Sequence, residues 1–222
     1  MPSWNFGVLL RPHPSLTIGV AAISRSDAKV QGDVTVRLGP DAFIPTEIRG
    51  TQRTGLVIPW TLMLGANWDV TRHLEAGVEL RCFFYSAWRN QHTDISDIPL
   101  MTERDVPKNY HDSWHLSGGV LWHSVVPRLE GLAGLQYDAS PAPPETVSLD
   151  QPSFDSVGLH AGLRYRLGAR YRLGLTYSYC WYLRRQVENS VVQPPFNFAG
   201  SGGCNLVTVT LEVRFDRGLG VR

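Results

Sequence analysis

Residues 206–215 read LVTVTLEVRF, and their alternating pattern predicts the fold. Apolar side chains occupy every second position, while Thr, Glu and Arg occupy the positions between them. Successive side chains of a β-strand point to opposite faces, so a period of two predicts a strand with one apolar and one polar face. The same pattern recurs at residues 73–84, 156–166 and 170–181, and helical periodicity is nearly absent. An all-β chain is therefore predicted.

The length of these segments favours a membrane over water. They run for about 10 to 13 residues, whereas strands of globular sheets have ~5–6 and a tilted strand needs ~9–11 to cross a bilayer. Their polar faces carry charges in mid-strand. In a transmembrane barrel the apolar face meets lipid and the charges line a polar lumen. Alternation alone also fits a soluble barrel with the two faces exchanged.

Aromatic residues gather at both ends of the predicted strands. One group is Trp68, Trp122, Tyr171 and Phe215, and the other is Tyr85, Trp88, Trp114, Tyr137, Phe154, Tyr179 and Trp181. Two such belts are typical of membrane barrels, because amphipathic rings favour the headgroup layers. Aromatics that cap the core of a soluble barrel are the alternative interpretation.

The connections between strands alternate strictly in length. The short ones are residues 11–15, 67–72, 124–128 and 167–169, and the long polar ones are 39–54, 87–109, 139–153 and 183–203. Tight periplasmic turns and long extracellular loops are typical of transmembrane barrels. Nine strands are predicted, at residues 4–10, 16–38, 55–67, 72–86, 112–123, 129–138, 154–167, 170–182 and 204–215. The second is too long for one crossing, so we expect it to extend above the membrane or to be broken near residues 24–29.

Composition narrows the function classes. The 222 residues are interpreted as one barrel domain over residues 1–222, and the net charge of +1 argues against a nucleic-acid partner. Only two of the 21 basic residues are Lys, and three cysteines lack metal-ligand spacing. No metal or cofactor is therefore expected. No apolar run is long enough for a transmembrane helix. No signal peptide is evident, and together with an odd strand count this predicts a chain that is incomplete at its N-terminus.

Residues 110–179 resemble the FadL/TodX family of outer-membrane transport proteins. The resemblance is carried by YHDSWHLSGGVLW at residues 110–122 and by GLAGLQYDASPAPPETVSLDQPSFDSVGLHAGLRYRLGARYRLGLTYSY at residues 131–179. Its most specific part is the Tyr-Asp-Ala-Ser-Pro segment at residues 137–141. Upstream, WNFGVLLRPHPSLTIGVAAISRS at residues 4–26 is similar to the strand, short turn and strand of that family.

The resemblance implies an antiparallel barrel of fourteen strands with an N-terminal hatch, of which this chain would supply the last nine. It implies passive uptake of long-chain fatty acids or aromatic hydrocarbons through the outer membrane of a Gram-negative bacterium. The implied partners are the lipid bilayer, a hydrophobic small molecule and the barrel assembly machinery, which reads a terminal aromatic such as Phe215. A general barrel without a hydrophobic ligand and, less favoured, a barrel hydrolase are the alternatives.

Candidate ligand-binding residues lie in the loops and on the polar strand faces. Ile98, Leu100, Phe196 and Phe198 are predicted to wall an apolar capture groove, because exposed apolar patches often mark binding sites. Arg81 and Arg164 are candidates for binding a carboxylate head group, since Arg pairs carboxylates bidentately. The competing interpretations are ordinary loops and a salt-bridge network that braces the wall.

The cysteines and one His-Asp-Ser tripeptide are two further motifs of the sequence. Cys180 and Cys204 share a face on neighbouring strands and can pair in an oxidising periplasm, whereas Cys82 is expected to face lipid. The tripeptide His111-Asp112-Ser113 suggests a hydrolase triad. Adjacent strand residues point to opposite faces, so these three side chains cannot form a triad by themselves. No enzyme activity is predicted.

Overall fold

The computed structural model describes residues 2–37, 47–98, 104–147, 152–192 and 195–214. Within these ranges no helix is long and apolar enough to cross a membrane. Two short 3-10 helices span Tyr85–Ala87 and Pro144–Thr146. The strands are β1 (Asn5–His13), β2 (Leu16–Ile23), β3 (Ser26–Arg37), β4 (Glu47–Ile58), β5 (Thr61–Thr71), β6 (Leu74–Phe83), β7 (Asn90–Ser96), β8 (Arg104–Pro107), β9 (Ser113–Val126), β10 (Leu129–Asp138), β11 (Ser156–Leu167), β12 (Tyr171–Val187) and β13 (Phe198–Val213).

Nine strands form the main sheet, in the order β1-β2-β5-β6-β9-β10-β11-β12-β13. Every neighbouring pair is antiparallel, and tight turns join the pairs β1–β2, β5–β6, β9–β10 and β11–β12. The predicted nine-stranded antiparallel sheet is confirmed. Within the described residues, β1 and β13 are the edges and each has a hydrogen-bonded neighbour on one side.

A second sheet, in the order β3-β4-β7-β8, stands at the long-loop end. The predicted strand 16–38 is broken at Ser24 and Arg25 into β2 and β3, which confirms the expected break. The prediction of loops at residues 39–54 and 87–109 was wrong where β4, β7 and β8 lie. These segments satisfy their backbone groups by pairing with one another, as β4 does with β7 through Thr54 and Thr93. β12 and β13 also extend further into the last loop than predicted.

The two faces of the main sheet differ in chemistry. The lipid face carries Val78, Leu175 and Val209, whose exposures are 52%, 51% and 67%. The lumen face carries Glu79, which pairs with Ser117 on β9. A single groove is bordered by lumen-face residues from eight strands, so this face is concave. Apolar side chains therefore point outward and polar side chains line the interior, as predicted for a transmembrane barrel.

Aromatic rings mark two levels of the lipid face. Trp68 and Trp122 are about half exposed beside the short turns. At the long-loop end the rings of Trp114 and Tyr137 lie 4.9 Å apart. The predicted Phe215 lies outside the described residues, so recognition of this terminal aromatic by the assembly machinery remains a prediction.

Aliphatic burial is confined to the long-loop end. In the described part of the chain, the buried aliphatic residues are Ile98, Ala142, Val147 and Val187. Ala142, Val147 and Val187 form one cluster, against which Phe198 packs. The nine-stranded wall thus has no dry core, which is the arrangement expected around a lumen.

Candidate functional site

The groove on the lumen face has a volume of about 830 Å³. At its centre Gly77 pairs with Gly119, and Gly119 pairs with Gly134. A Cβ added at Gly119 would lie 2.9 Å from the carbonyl oxygen of Ala133, closer than side chains tolerate. Because glycine has no side chain, the wall at this level is peptide backbone and the groove is wide there.

A cluster of ion pairs borders the groove on the short-turn side. The carboxylate of Glu130 is nearly buried and accepts a hydrogen bond of 2.5 Å from Nε of Arg164. Arg166 Nη2 and His123 Nδ1 lie 3.4 and 3.6 Å from the same carboxylate. His123 also contacts Glu75 through Nε2. Arg164, a predicted head-group ligand, is therefore already neutralised by Glu130.

Arg81, the other predicted head-group ligand, occupies a more open position. Its Nε donates to the carboxylate of Glu79 two residues earlier on β6, and the Arg81 side chain remains 44% exposed. Glu79 itself lines the groove. Arg81 thus has a local counter-ion but keeps guanidinium surface that faces the lumen.

A second polar network crosses four strands on the long-loop side of the glycines. His115 Nδ1 lies 2.5 Å from Asp138, whose carboxylate also accepts from Gln136 Nε2 at 2.9 Å. Gln136 Oε1 is then the acceptor for His160 Nε2 at 2.9 Å, and His160 Nδ1 lies 2.8 Å from the Ser178 hydroxyl oxygen. This ladder was not predicted. The only sequence signal was a set of polar residues at lumen-face positions, and their pairing depends on strand register.

The last loop carries the two predicted phenylalanines. Phe196 is 48% exposed, and its ring centroid lies 5.7 Å from that of Phe198. Phe198 is half-buried and packs against the aliphatic cluster. Phe196 therefore exposes apolar surface, while the neighbouring ring of Phe198 is packed against the aliphatic cluster.

The other two predicted loop residues are placed differently. Ile98 is only 6% exposed, and a Cβ added at Gly50 would lie 2.5 Å from its Cγ1. Gly50 of β4 thus provides the space into which Ile98 packs, which leaves Ile98 little surface for a ligand. Leu100 lies outside the described residues.

Arg185 fixes the loop between β10 and β11. Its Nη1 donates to Ser140 Oγ at 2.6 Å and to the Ser153 carbonyl at 3.0 Å, and its Nη2 donates to the Ala142 carbonyl. The Ser140 amide donates to Asp155 at 2.7 Å. One guanidinium therefore holds three points of this loop against β12.

A buried lysine stabilises the segment before β9. Lys108 is 1% exposed, and its Nζ lies 5.8 Å from the ring centroid of Trp88 and 6.0 Å from that of Tyr110. Such distances are within the range of cation–π attraction. Burial raises the pKa of Tyr85, whose ring centroid lies 6.0 Å from that of Tyr110.

The His111-Asp112-Ser113 tripeptide does not assemble a triad. Asp112 accepts a hydrogen bond of 2.9 Å from the Ser86 amide, and Ser113 is buried in the sheet. In the described part of the chain, no three His, Cys, Asp or Glu residues are grouped so as to hold a metal ion.

Comparison with known proteins identifies the family. A family profile described as outer membrane protein transport protein (OMPP1/FadL/TodX) matches residues 1–215. Among curated proteins, no sequence matches the chain.

Several solved structures share the fold. A FadL homologue from Pseudomonas aeruginosa superposes with a TM-score of 0.73 at 17% identity, covering 94% of this chain and 51% of its own. The CymD monoaromatic hydrocarbon channel has a TM-score of 0.68 at 13% identity, with coverages of 95% and 50%. The toluene transporter TodX of Pseudomonas putida gives 0.66 at 15%, with coverages of 95% and 48%.

The chain spans about half the length of these solved relatives. The profile covers nearly all of its residues, and the fold agrees with it. The chain therefore belongs to the OMPP1/FadL/TodX family of outer membrane transport proteins and is located in the outer membrane of a Gram-negative bacterium.

Proposed function

We propose that this chain forms part of the wall and mouth of a channel for passive uptake of hydrophobic molecules, such as long-chain fatty acids or aromatic hydrocarbons. The observation that carries the proposal is an exposed aromatic residue, Phe196, on the long-loop end of a barrel wall whose lumen groove is lined at its centre by glycine backbone. Family membership supports the transport role.

Capture would begin at the last loop. Phe196 is half exposed although it neighbours the packed ring of Phe198, so apolar surface is held in place rather than collapsed. Removing apolar area from water is favourable by about 25 cal/mol per Å². Binding of a hydrophobic molecule over the Phe196 ring therefore lowers the free energy.

Passage would then follow the lumen groove. Its volume of about 830 Å³ lies within the range of small-molecule sites, ~300–1,000 Å³. The carboxylates of Glu75 and Glu79, which border it, already have partners in His123 and Arg81. An apolar molecule can thus pass without leaving a buried charge unpaired. Arg81 is the better placed of the two predicted arginines to meet a carboxylate end, because more of its side chain is exposed.

The test is uptake of radiolabelled oleate and toluene by cells that lack the chromosomal gene and carry the full-length protein or a variant. Phe196→Ala should raise the half-saturating concentration of at least one ligand about fivefold, since roughly half of a Phe side chain's burial energy is lost. Phe6→Ala is the matched control, because Phe6 is equally aromatic but lies exposed on β1 of the lipid face.

Equal uptake by wild type and by Phe196→Ala would contradict the role of Phe196. If the wild-type protein restored entry of hydrophilic solutes but of neither labelled ligand, a general barrel without a hydrophobic ligand would replace the proposal.

A further inference from the structure

Two cysteines face each other across the last hairpin of the main sheet. Cys180 on β12 and Cys204 on β13 are direct cross-strand partners, and both are free thiols in the structure. Both belong to the lumen face, as do their neighbours Ser178 and Leu206, which also pair with each other. We propose that Cys180 and Cys204 form a disulfide in the mature protein.

The register between β12 and β13 places the two cysteines at a Cα distance that a disulfide can span. Directly opposed residues of an antiparallel pair have Cα atoms about 4.5 or 5.5 Å apart, depending on their hydrogen bonding. Disulfides span Cα distances of about 4.4–6.8 Å. The Cys204 thiol now makes only a weak contact, 3.9 Å from the Asn205 carbonyl oxygen, which formation of the disulfide would replace.

Cys82 provides an internal comparison. It lies on the lipid face of β6, where its cross-strand partners are Leu62 and Trp114. The third cysteine is thus held away from the other two by the sheet itself. Among these three cysteines, any pairing within one folded chain must therefore join Cys180 to Cys204.

The route of the protein to the outer membrane provides the oxidising conditions that disulfide formation requires. An outer-membrane protein passes through the oxidising periplasm, where disulfides form and persist. The oxidant we infer is a periplasmic dithiol–disulfide oxidase. The thiolate of one cysteine attacks its disulfide, giving a mixed disulfide and a free oxidase thiolate. The second cysteine then displaces the other oxidase sulfur. Two electrons pass to the oxidase, which becomes a dithiol, and both thiol protons are transferred with them.

The disulfide would stabilise the base of the loop between β12 and β13, which carries Phe196. Just beyond Cys180 the ladder between β12 and β13 becomes irregular, between Tyr182 and Arg185. A covalent link immediately before this irregularity holds the register of the hairpin that carries Phe196. Formation of the disulfide does not depend on the proposed transport function, so the two can fail separately.

The test is mass spectrometry of the full-length protein from outer membranes, denatured and alkylated without reductant. Trypsin separates the two cysteines, because Arg184 and Arg185 lie between them. We expect the peptides containing Cys180 and Cys204 to appear as one cross-linked species, lighter by two hydrogen atoms than the sum of the two. Cys82 should be fully alkylated in the same sample.

Matched variants define the specificity. Cys82→Ser should leave the cross-link unchanged, whereas Cys180→Ser should leave Cys204 fully alkylated. Alkylation of all three cysteines in the unreduced wild-type protein would overturn the proposal. A cross-link that involves Cys82, or one that joins two chains, would overturn it as well.

Discussion

Substitution of Glu130 by Gln tests whether the ion-pair cluster braces the wall. Gln keeps the size of the side chain but removes its charge, which leaves Arg164, Arg166 and His123 facing one another without their common counter-ion. Breaking a buried ion pair by removing one partner costs ~3–5 kcal/mol. The Arg164 side chain is 30% exposed and thus partly screened by water, so we expect a loss near the lower end, about 3 kcal/mol.

The assay is urea unfolding of the full-length protein in lipid micelles, followed by tryptophan fluorescence. Glu212→Gln is the matched control on the same face, since Glu212 lies 3.5 Å from Arg172 and 3.3 Å from Arg214 but is 42% exposed. Exposed pairs contribute ~0.2–1 kcal/mol. Equal losses for the two variants would refute the reasoning that burial makes the Glu130 cluster stabilising.

Two further predictions concern the faces of the sheet and the loop clamp. Val209→Arg should lower the free energy of unfolding by ~2–4 kcal/mol, because it places a charge on the lipid face. Thr208→Arg, its control on the lumen face, should lower the free energy of unfolding far less. Urea unfolding measures both variants, and equal effects would contradict the assignment of the two faces. Arg185→Leu should accelerate cleavage after Glu145 by a Glu-specific protease about tenfold, since hydrogen bonds from a charged donor contribute ~1.5–3 kcal/mol each. Arg184→Leu is the control, because the structure shows no hydrogen-bond partner for Arg184 among the described residues; if both variants are cleaved at the same rate, Arg185 does not hold the loop.

The main sheet was predictable because each of its strands repeats one simple rule. A period of two must place one set of side chains in lipid and the other in the lumen, so a stretch such as residues 206–215 specifies both the strand and its faces. The second sheet was missed for the opposite reason. β7 reads NQHTDIS, in which Ile95 is the only strongly apolar residue, so no alternation distinguishes it from a polar loop. Its strand form comes from pairing with β4, a contact distant in sequence.

The candidate site was predictable in kind but not in detail. Charges on the lumen face were expected, yet the pairing of Glu130 with Arg164 depends on the register between β10 and β11. A one-residue slip would place every side chain on the other face, and sequence alone does not show the irregularity between Leu129 and Gly131 on the β9 side. The burial of Ile98 likewise depends on the absence of a side chain at Gly50, its neighbour in space.

The two edge strands of the main sheet expose backbone hydrogen-bonding groups that a bilayer does not satisfy. Along β1 and along the sixteen residues of β13, one side of the backbone has no strand beside it within the described residues. Hydrocarbon offers no hydrogen bonds, and each backbone group left unsatisfied there costs several kcal/mol. Lipid acyl chains therefore cannot satisfy the free backbone groups of these two edges. Each edge requires a hydrogen-bonding strand beside it before the nine strands can rest stably in a bilayer.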